Sequence, residues 1–340
     1  MADLARIAGV SESTVSRALA GSPRISAETR SRIVELARAA SYTINHGARS
    51  LRQGRTRTIE VLIPIEPDNP QLPSDPFYLD LLGAVADAVY ARGYDLLLSR
   101  AAPWLQETPV NSVLSGRADG IIVVGQGRRL AELRQLTATC EPVVVWGANL
   151  AGEDYTVVGG DNSAGGRIAT AHLLHLGRRR IAFLGDPTLP ETRLRHQGYC
   201  AALQAAGVPS EPQLTFPAGF DAEGASAAAQ ALARLEPEVD GVVAASDVIA
   251  MSAIAALTAC GRRVPQDVSV VGYDDVSAAA WFNPALTTVS QSIRRGGAAL
   301  VEALFARMEG LPAPSVLIPA ELVVRGSCGA LTRKRRGSRR

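Results

Sequence analysis

Glu12, Ser13, Ser16 and Arg17 gather on one side of a short helical run, while Val15, Ala18 and Leu19 fall at i, i+3 and i+4 on another. The chemistry open to such a polar face is recognition by hydrogen bonding. An arginine can grip a guanine edge with two donors, and a carboxylate can accept from a cytosine amino group. The apolar side would dock the helix. Glu12, Ser13 and Arg17 would then meet base edges, because the first residues of a reading helix and the one a turn later point into the major groove. A solvated polar face has the same pattern in isolation, so the surrounding elements decide between the two.

Those elements fit recognition. Leu4–Ala8 and Glu12–Leu19 are two helical patterns separated by the turn Gly9-Val10-Ser11. Gly9 can take the positive φ of a tight turn, and the Ser11 hydroxyl can cap a helix beginning at Glu12. Ser26 is the expected cap of a third helix reaching about Ala40, whose Ile33, Leu36, Ala37 and Ala40 would complete a small core. The pattern predicts an all-α helix-turn-helix domain over 1–43. Residues 44–58, with Arg49, Arg52, Arg55 and Arg57, are basic, too short for a domain and end at the apolar run from Ile59. They read as a hinge segment.

Charge is distributed to match. Ten arginines against four acids leave residues 1–58 at +6, the tail from Leu331 adds +6, and the middle of a chain of net charge +2 is therefore −10. A basic head on an acidic body suits a protein that holds phosphates at one end, with affinity falling as salt rises. The residues 329–340 read as a basic, disordered tail. At 340 residues and 47% hydrophobic content the chain can bury two or three cores. Arg6 and Asp3 interrupt the start of the chain where a signal peptide would be apolar, and no run approaches the ~20 apolar residues of a membrane span, so a cytoplasmic protein without membrane partner is expected. Cys140, Cys200, Cys260 and Cys328 lack metal-site spacing and read as reduced thiols.

From Ile59 onward short apolar runs alternate with amphipathic stretches. The runs are Ile59–Ile63, Ile121–Val124, Val143–Trp146, Ile181–Leu184, Val242–Ala245 and Val268–Val271, and helical patterns lie between them, as at Phe77–Arg92 and Ser163–Leu176. This is the signature of buried parallel strands covered by helices, and such sheets bind ligands at the carboxyl ends of their strands. Phe77 and Tyr78 open the first helix after the first strand. Asp247 and Asp274 each follow a buried strand, and Arg195 begins the helix after Ile181–Leu184. Asp161 reads as the cap of the helix starting near Ser163 rather than as a ligand contact.

Four separated motifs now carry a resemblance: Ala8-Gly9-Val10-Ser11 with Thr14-Val15-Ser16-Arg17, then Ala48-Arg49-Ser50-Leu51, then Val271-Gly272-Tyr273-Asp274-Asp275, and Pro284-Ala285-Leu286-Thr287-Thr288-Val289. From Leu4 to about Cys328 the chain resembles the LacI family of transcriptional regulators. The resemblance implies an α/β, periplasmic-binding-protein-like effector domain over 59–328, built as two subdomains that exchange strands: 59–159 plus 287–317, and 160–286 plus 318–328. It adds Thr14, Ser16, Asn45 and Arg49 to the DNA-contacting set. It also implies that Ala48–Gly54 becomes a helix only on cognate DNA, with Leu51 wedged into the minor groove. Ile44 departs from the proline usual in the family, which makes the hinge entry less stiff.

By the same similarity, Arg195 and Asp274 match a pair gripping polar effector groups, Ser246 and Asp247 match another contact segment, and Phe220 and Trp281 match aromatic wall positions. Sugars suit this mixture of rings and charges, and purines or other small polar molecules also fit it. Gly125-Gln126-Gly127 begins like a dinucleotide loop but lacks a third glycine, His172 and His175 have no further ligand at useful spacing, and no nucleophile elbow occurs. Neither catalytic residues nor a metal or cofactor are expected. The expectation is a homodimeric repressor on an approximately palindromic operator, controlled by a carbohydrate-like effector, and the same parts would serve an inducer or a corepressor. The alternatives are a solute receptor of the periplasmic type, which would need export and no DNA-reading head, and a regulator controlled by a protein partner.

Overall fold

The computed structural model describes residues 2–19, 22–40, 55–64, 71–101, 113, 115–128, 130–139, 142–220, 222–235 and 238–330. They form two compact units, Met1–Thr56 and Arg57–Arg340.

In the first unit α1 (Ala2–Ala8), α2 (Glu12–Leu19) and α3 (Ala27–Ala39) close on Leu4, Ala5, Ala8, Val15, Ala18, Ile33 and Ala37. Gly9 makes the turn at φ +66, and the Ser11 hydroxyl accepts from the Thr14 amide at 3.2 Å, so α2 starts at Glu12 as its cap requires. Ser26 caps α3 by accepting from the Thr29 amide at 3.3 Å. Arg32 donates to the Ala8 carbonyl at 2.7 Å, answering an acceptor that the end of α1 leaves open. Ala40, an expected core residue, is exposed because the helix has already ended and Ala40 is its C-cap.

The second unit contains two six-stranded sheets among its described residues. Its elements run β1 (Thr58–Pro64), α4 (Pro76–Tyr90), β2 (Asp95–Ala101), β3 (Gly120–Val124), α5 (Leu130–Thr139), β4 (Val143–Trp146), β5 (Val157–Gly160) and α6 (Asn162–His175). Then follow β6 (Ile181–Leu184), α7 (Pro190–Ala205), β7 (Thr215–Phe216), α8 (Ala222–Ala233), β8 (Gly241–Ala244), α9 (Asp247–Ala259), β9 (Ser269–Asp274) and α10 (Ser277–Trp281). The last are β10 (Thr287–Ser290), α11 (Ile293–Met308), β11 (Val316–Ile318) and β12 (Glu321–Val323).

The first lobe holds the parallel sheet β11-β5-β4-β3-β1-β2, and the second holds β12-β10-β9-β8-β6-β7, parallel except where β12 runs against β10. Strands β3, β4, β6 and β8 are buried along their whole length, the reason they read as unbroken apolar runs. In the first sheet alternate residues divide between two cores. Ile59, Val61, Ile122, Val144 and Trp146 face α4 and α11, while Leu62, Ile121, Val143 and Val145 face α5.

The chain crosses between lobes three times, after β5, after β10 and between β11 and β12. The crossing expected at 286/287 falls later in the chain: Thr287–Ser290 is β10, paired with β9 as Thr287↔Val271 through Ser290↔Asp274, so the chain leaves the second lobe only after Ser290. Ile318 likewise pairs with Gly160 and completes the first sheet. Among the described residues no helix is long and apolar enough to cross a membrane.

Candidate functional site

The carboxyl ends of both sheets open onto one cleft of about 820 Å³, a volume that includes its solvent-open mouth. The first lobe contributes Gln71, Asp75, Phe77, Tyr78, the Gly125–Gly127 loop and Trp146, and the second contributes Glu191, Arg195, Phe220, Ser246 and Asp274. Six of the expected effector residues therefore line it: Phe77, Tyr78, Arg195, Phe220, Ser246 and Asp274.

Arg195 is placed by a backbone-to-backbone crossing. A Cβ on Gly166 of α6 would stand 2.0 Å from the Arg195 carbonyl, and one on Gly198 of α7 would stand 2.1 Å from the Ser163 carbonyl, so only glycines let these helices approach this closely. From there the buried guanidinium donates to Asn162 Oδ1 at 2.7 Å and to the Ala245 carbonyl, lies 3.8 Å over the Tyr273 ring and stands 3.8 Å from Asp274 Oδ1. Asp274 ends β9 at φ +116, a left-handed conformation costly for a non-glycine residue, and accepts from Gln291 Nε2 at 2.6 Å. Burial pushes its carboxyl up to about 7, against the pull of Arg195 and with the added repulsion of Asp75.

Asp75 sits opposite on the first lobe. It caps α4 by accepting from the Phe77 amide at 2.8 Å, yet burial still raises its carboxyl above the usual range. Burial raises Glu191 too, and the Gln126 amide of the other lobe faces it as a partial offset. Phe77 and Trp146, with ring centroids 5.9 Å apart, make an aromatic wall. At the mouth Arg128 of the first lobe donates to Asp186 and, at 3.1 Å, to Thr188 of the second. On another side the Ser277 amide donates to Asp80 at 2.8 Å. These bonds bridge the lobes.

Two expected effector residues are placed elsewhere. Asp247 is fully buried at the start of α9, where it accepts from Thr288 Oγ1 at 2.6 Å and from the Val276 amide at 2.9 Å. It braces the strand ends behind Ser246 and does not line the cleft. Trp281 is 88% exposed. The five-residue helix α10 buries Ala279, and two residues further on, about 200° around the helix, Trp281 faces away.

The aromatic wall that similarity assigned to Trp281 is supplied by Trp146. Trp146 ends a strand legible in the sequence, and the rule that ligands sit at strand ends points to it. That rule also points to Gly125-Gln126-Gly127, which as a phosphate loop is truncated. Gly125 and Gly127 turn that loop at φ +97 and +56, and the Gln126 side chain is braced by Ala148 and Tyr155. Asp75, Glu191 and Gln291 carry no comparable signal. Asp161 does cap α6, accepting from the Ala164 amide at 2.9 Å.

On α2, Glu12, Ser13 and Arg17 are exposed, Thr14 and Ser16 are half-buried, and Val15 and Ala18 are buried. The Ser13 and Thr14 hydroxyls each lie 2.9 Å from Ser11 Oγ. Asn45, Arg49 and Leu51 lie outside the described residues, as do Cys140 and the tail from Leu331. Three further cysteines are free thiols, Cys200, Cys260 and Cys328, and Cys328 Sγ lies 3.3 Å from His172 Nε2.

Residues 1–45 match the family described as bacterial regulatory proteins, lacI family, and residues 170–328 match a periplasmic binding protein-like domain. The HTH-type transcriptional regulator CelR of Thermobifida fusca is 33% identical over 330 residues, covering 95% of this chain and 96% of that protein. The HTH-type transcriptional repressor CytR of Escherichia coli (strain K12) is 30% identical over 341 residues, covering 97% and 96%. Among solved structures, a transcriptional regulator CelR–cellobiose complex aligns with a TM-score of 0.72 at 32% identity, covering 95% of this chain and 98% of that one. The lac repressor dimer bound to operator and the anti-inducer ONPF shares the fold, with a TM-score of 0.82 at 24% identity over 96% and 98% of the two chains. With a packed helix-turn-helix unit, a two-lobed α/β unit and relatives matched along nearly its whole length, the chain belongs to the LacI family of bacterial regulatory proteins.

Proposed function

We propose that this protein is a homodimeric repressor whose hold on an approximately palindromic operator is set by a carbohydrate-like effector in the interlobe cleft. The observation that carries this reading is the cleft itself. It presents aromatic faces, Phe77, Trp146 and Phe220, beside Arg195 and carboxylates drawn from both lobes, a combination that covers C–H surfaces and binds hydroxyls. The cellobiose complex of CelR supports the ligand class.

In each subunit Glu12, Ser13 and Arg17 read base edges, with Thr14 and Ser16 beside them on α2. Asn45, Arg49 and Leu51 follow in sequence as the contacts of the hinge, and two-fold protein symmetry imposes two half-sites. Because ligand groups come from both lobes, occupancy favours one relative arrangement of those lobes over another. A 100-fold change in operator affinity requires about 2.7 kcal/mol of such differential binding. The roles assigned are binding roles, and the protein acts as a regulator rather than an enzyme, in the cytoplasm with its DNA.

The test is selection of genomic fragments by the purified protein at moderate ionic strength, with and without cellobiose and related sugars. Enrichment of a discrete fragment, modulated by a sugar, is the expected result. Equal binding of all fragments under every condition would remove the reading.

A further inference from the structure

We infer that the effector carries no negative charge: the cleft takes a free sugar and rejects phosphorylated or acidic ones. This rests on the carbohydrate reading above and sharpens it. The ionisable lining is acidic on both sides, with Asp75 on the first lobe and Glu191 and Asp274 on the second. Arg195 is the arginine among the described lining residues, and its Nε and Nη1 are already directed at Asn162, the Ala245 carbonyl and Asp274. Arg128, at the mouth, is paired with Asp186 and Thr188.

The remaining source of positive potential is helix ends, since α4, α7 and α9 all begin at the cleft. Each start is already answered. The Asp75 carboxylate accepts from the Phe77 amide, Glu191 lies in the first turn of α7, and Ser246 Oγ accepts from the Ile249 amide at 3.2 Å. A phosphate or carboxylate entering the cleft would be desolvated against carboxylates on both lobes, and the arginine among the described lining residues already stands against Asp274, whereas hydroxyls can donate to those same oxygens. The burial that raises Asp75, Glu191 and Asp274 points the same way, because the site disfavours even its own negative charge.

The experiment is calorimetric titration of the full-length protein with matched pairs: glucose and glucose 6-phosphate, glucose and glucuronate, ribose and ribose 5-phosphate. Each anionic member is expected to bind at least about tenfold more weakly than its parent, and Asp75→Asn with Glu191→Gln to narrow that gap. Asparagine is as good a helix cap as aspartate, so the substitution preserves the start of α4. An anionic sugar that binds as tightly as its parent overturns the inference.

A second measurement needs no sugar and separates this inference from the carbohydrate reading. With Trp104→Phe and Trp281→Phe, Trp146 is the remaining tryptophan of the three. Iodide is expected to quench it poorly relative to uncharged acrylamide, and the Asp75→Asn, Glu191→Gln pair to restore iodide quenching. Equal iodide quenching before and after those substitutions refutes the charge filter, even if no sugar binds.

Discussion

Arg195 holds the strand end of one lobe and the polar floor of the cleft at once, so its replacement separates ligand response from DNA binding. Arg195→Ala is expected to keep operator affinity while raising the half-maximal effector concentration by at least about tenfold. Overlapping dose-response curves in an operator-binding assay would clear Arg195 of that role. At the other end of the chain, Arg17→Ala is expected to cost about 1–3 kcal/mol on the preferred operator and to relax base preference at one position per half-site. Competition between single-base operator variants reads both effects. Asp274 brings a dependence on pH. Its carboxyl is held near 7 by burial, with Asp75 adding repulsion and Arg195, Gln291 and the Asp247 backbone amide opposing it, while the ordinary value is 3.8. The folded protein therefore keeps a proton that the unfolded chain releases. The stability this contributes is complete below about pH 4 and is lost as pH rises through 7. Melting temperature should fall across that window, and Asp274→Asn should flatten the fall; an unchanged slope would assign it to other groups.

At the scale of elements, the crossing of α6 and α7 is an unforgiving contact behind the cleft. Gly166→Ala would drive a methyl to 2.0 Å from the Arg195 carbonyl, so the helices must separate and carry Arg195 with them. A loss of about 1–3 kcal/mol in stability is expected, together with weaker effector binding, measured by denaturant unfolding and calorimetry on the same variant. Gly83→Ala on α4, where a methyl would meet open space, is the control expected to show neither. The elements legible in the sequence are those whose burial is complete. Val143–Trp146 and Ile181–Leu184 coincide with β4 and β6 because strands covered on both faces leave an unbroken apolar run. Strand β5, Val157–Gly160, leaves no such trace because half of it is glycine. Gly159 is required there, since a Cβ would stand 1.9 Å from the Gly147 carbonyl, and that constraint belongs to a neighbour far from it in sequence. The site divides in the same way. Asp274 and Trp146 follow apolar runs, whereas Asp75 and Glu191 reach the cleft only because two separate helices begin beside it, a juxtaposition that spacing does not encode.

For the molecule as a whole, the basic head and acidic body predict a steep salt dependence of operator binding, with the effector cleft comparatively indifferent to salt. The proposed dimer has a physical candidate for its interface in Leu79, 55% exposed on α4, and Trp281, 88% exposed on α10, which lie on helices in contact with each other. Leu79→Asp with Trp281→Asp is expected to shift the protein toward monomer in light scattering and to weaken operator binding while leaving effector affinity in place. A dimer that survives both changes would place the interface elsewhere. The three crossings between lobes have a further consequence, one of timing. Strand β11 closes an edge of the first sheet and β12, three residues later, closes an edge of the second, while α11 of the first lobe is encoded after nearly all of the second. A ribosome that has not yet passed residue 318 is therefore holding two unfinished lobes at once, and a message cut short before codon 316 yields a head able to seek DNA on a body with both sheets left open, a product for proteases rather than a smaller repressor.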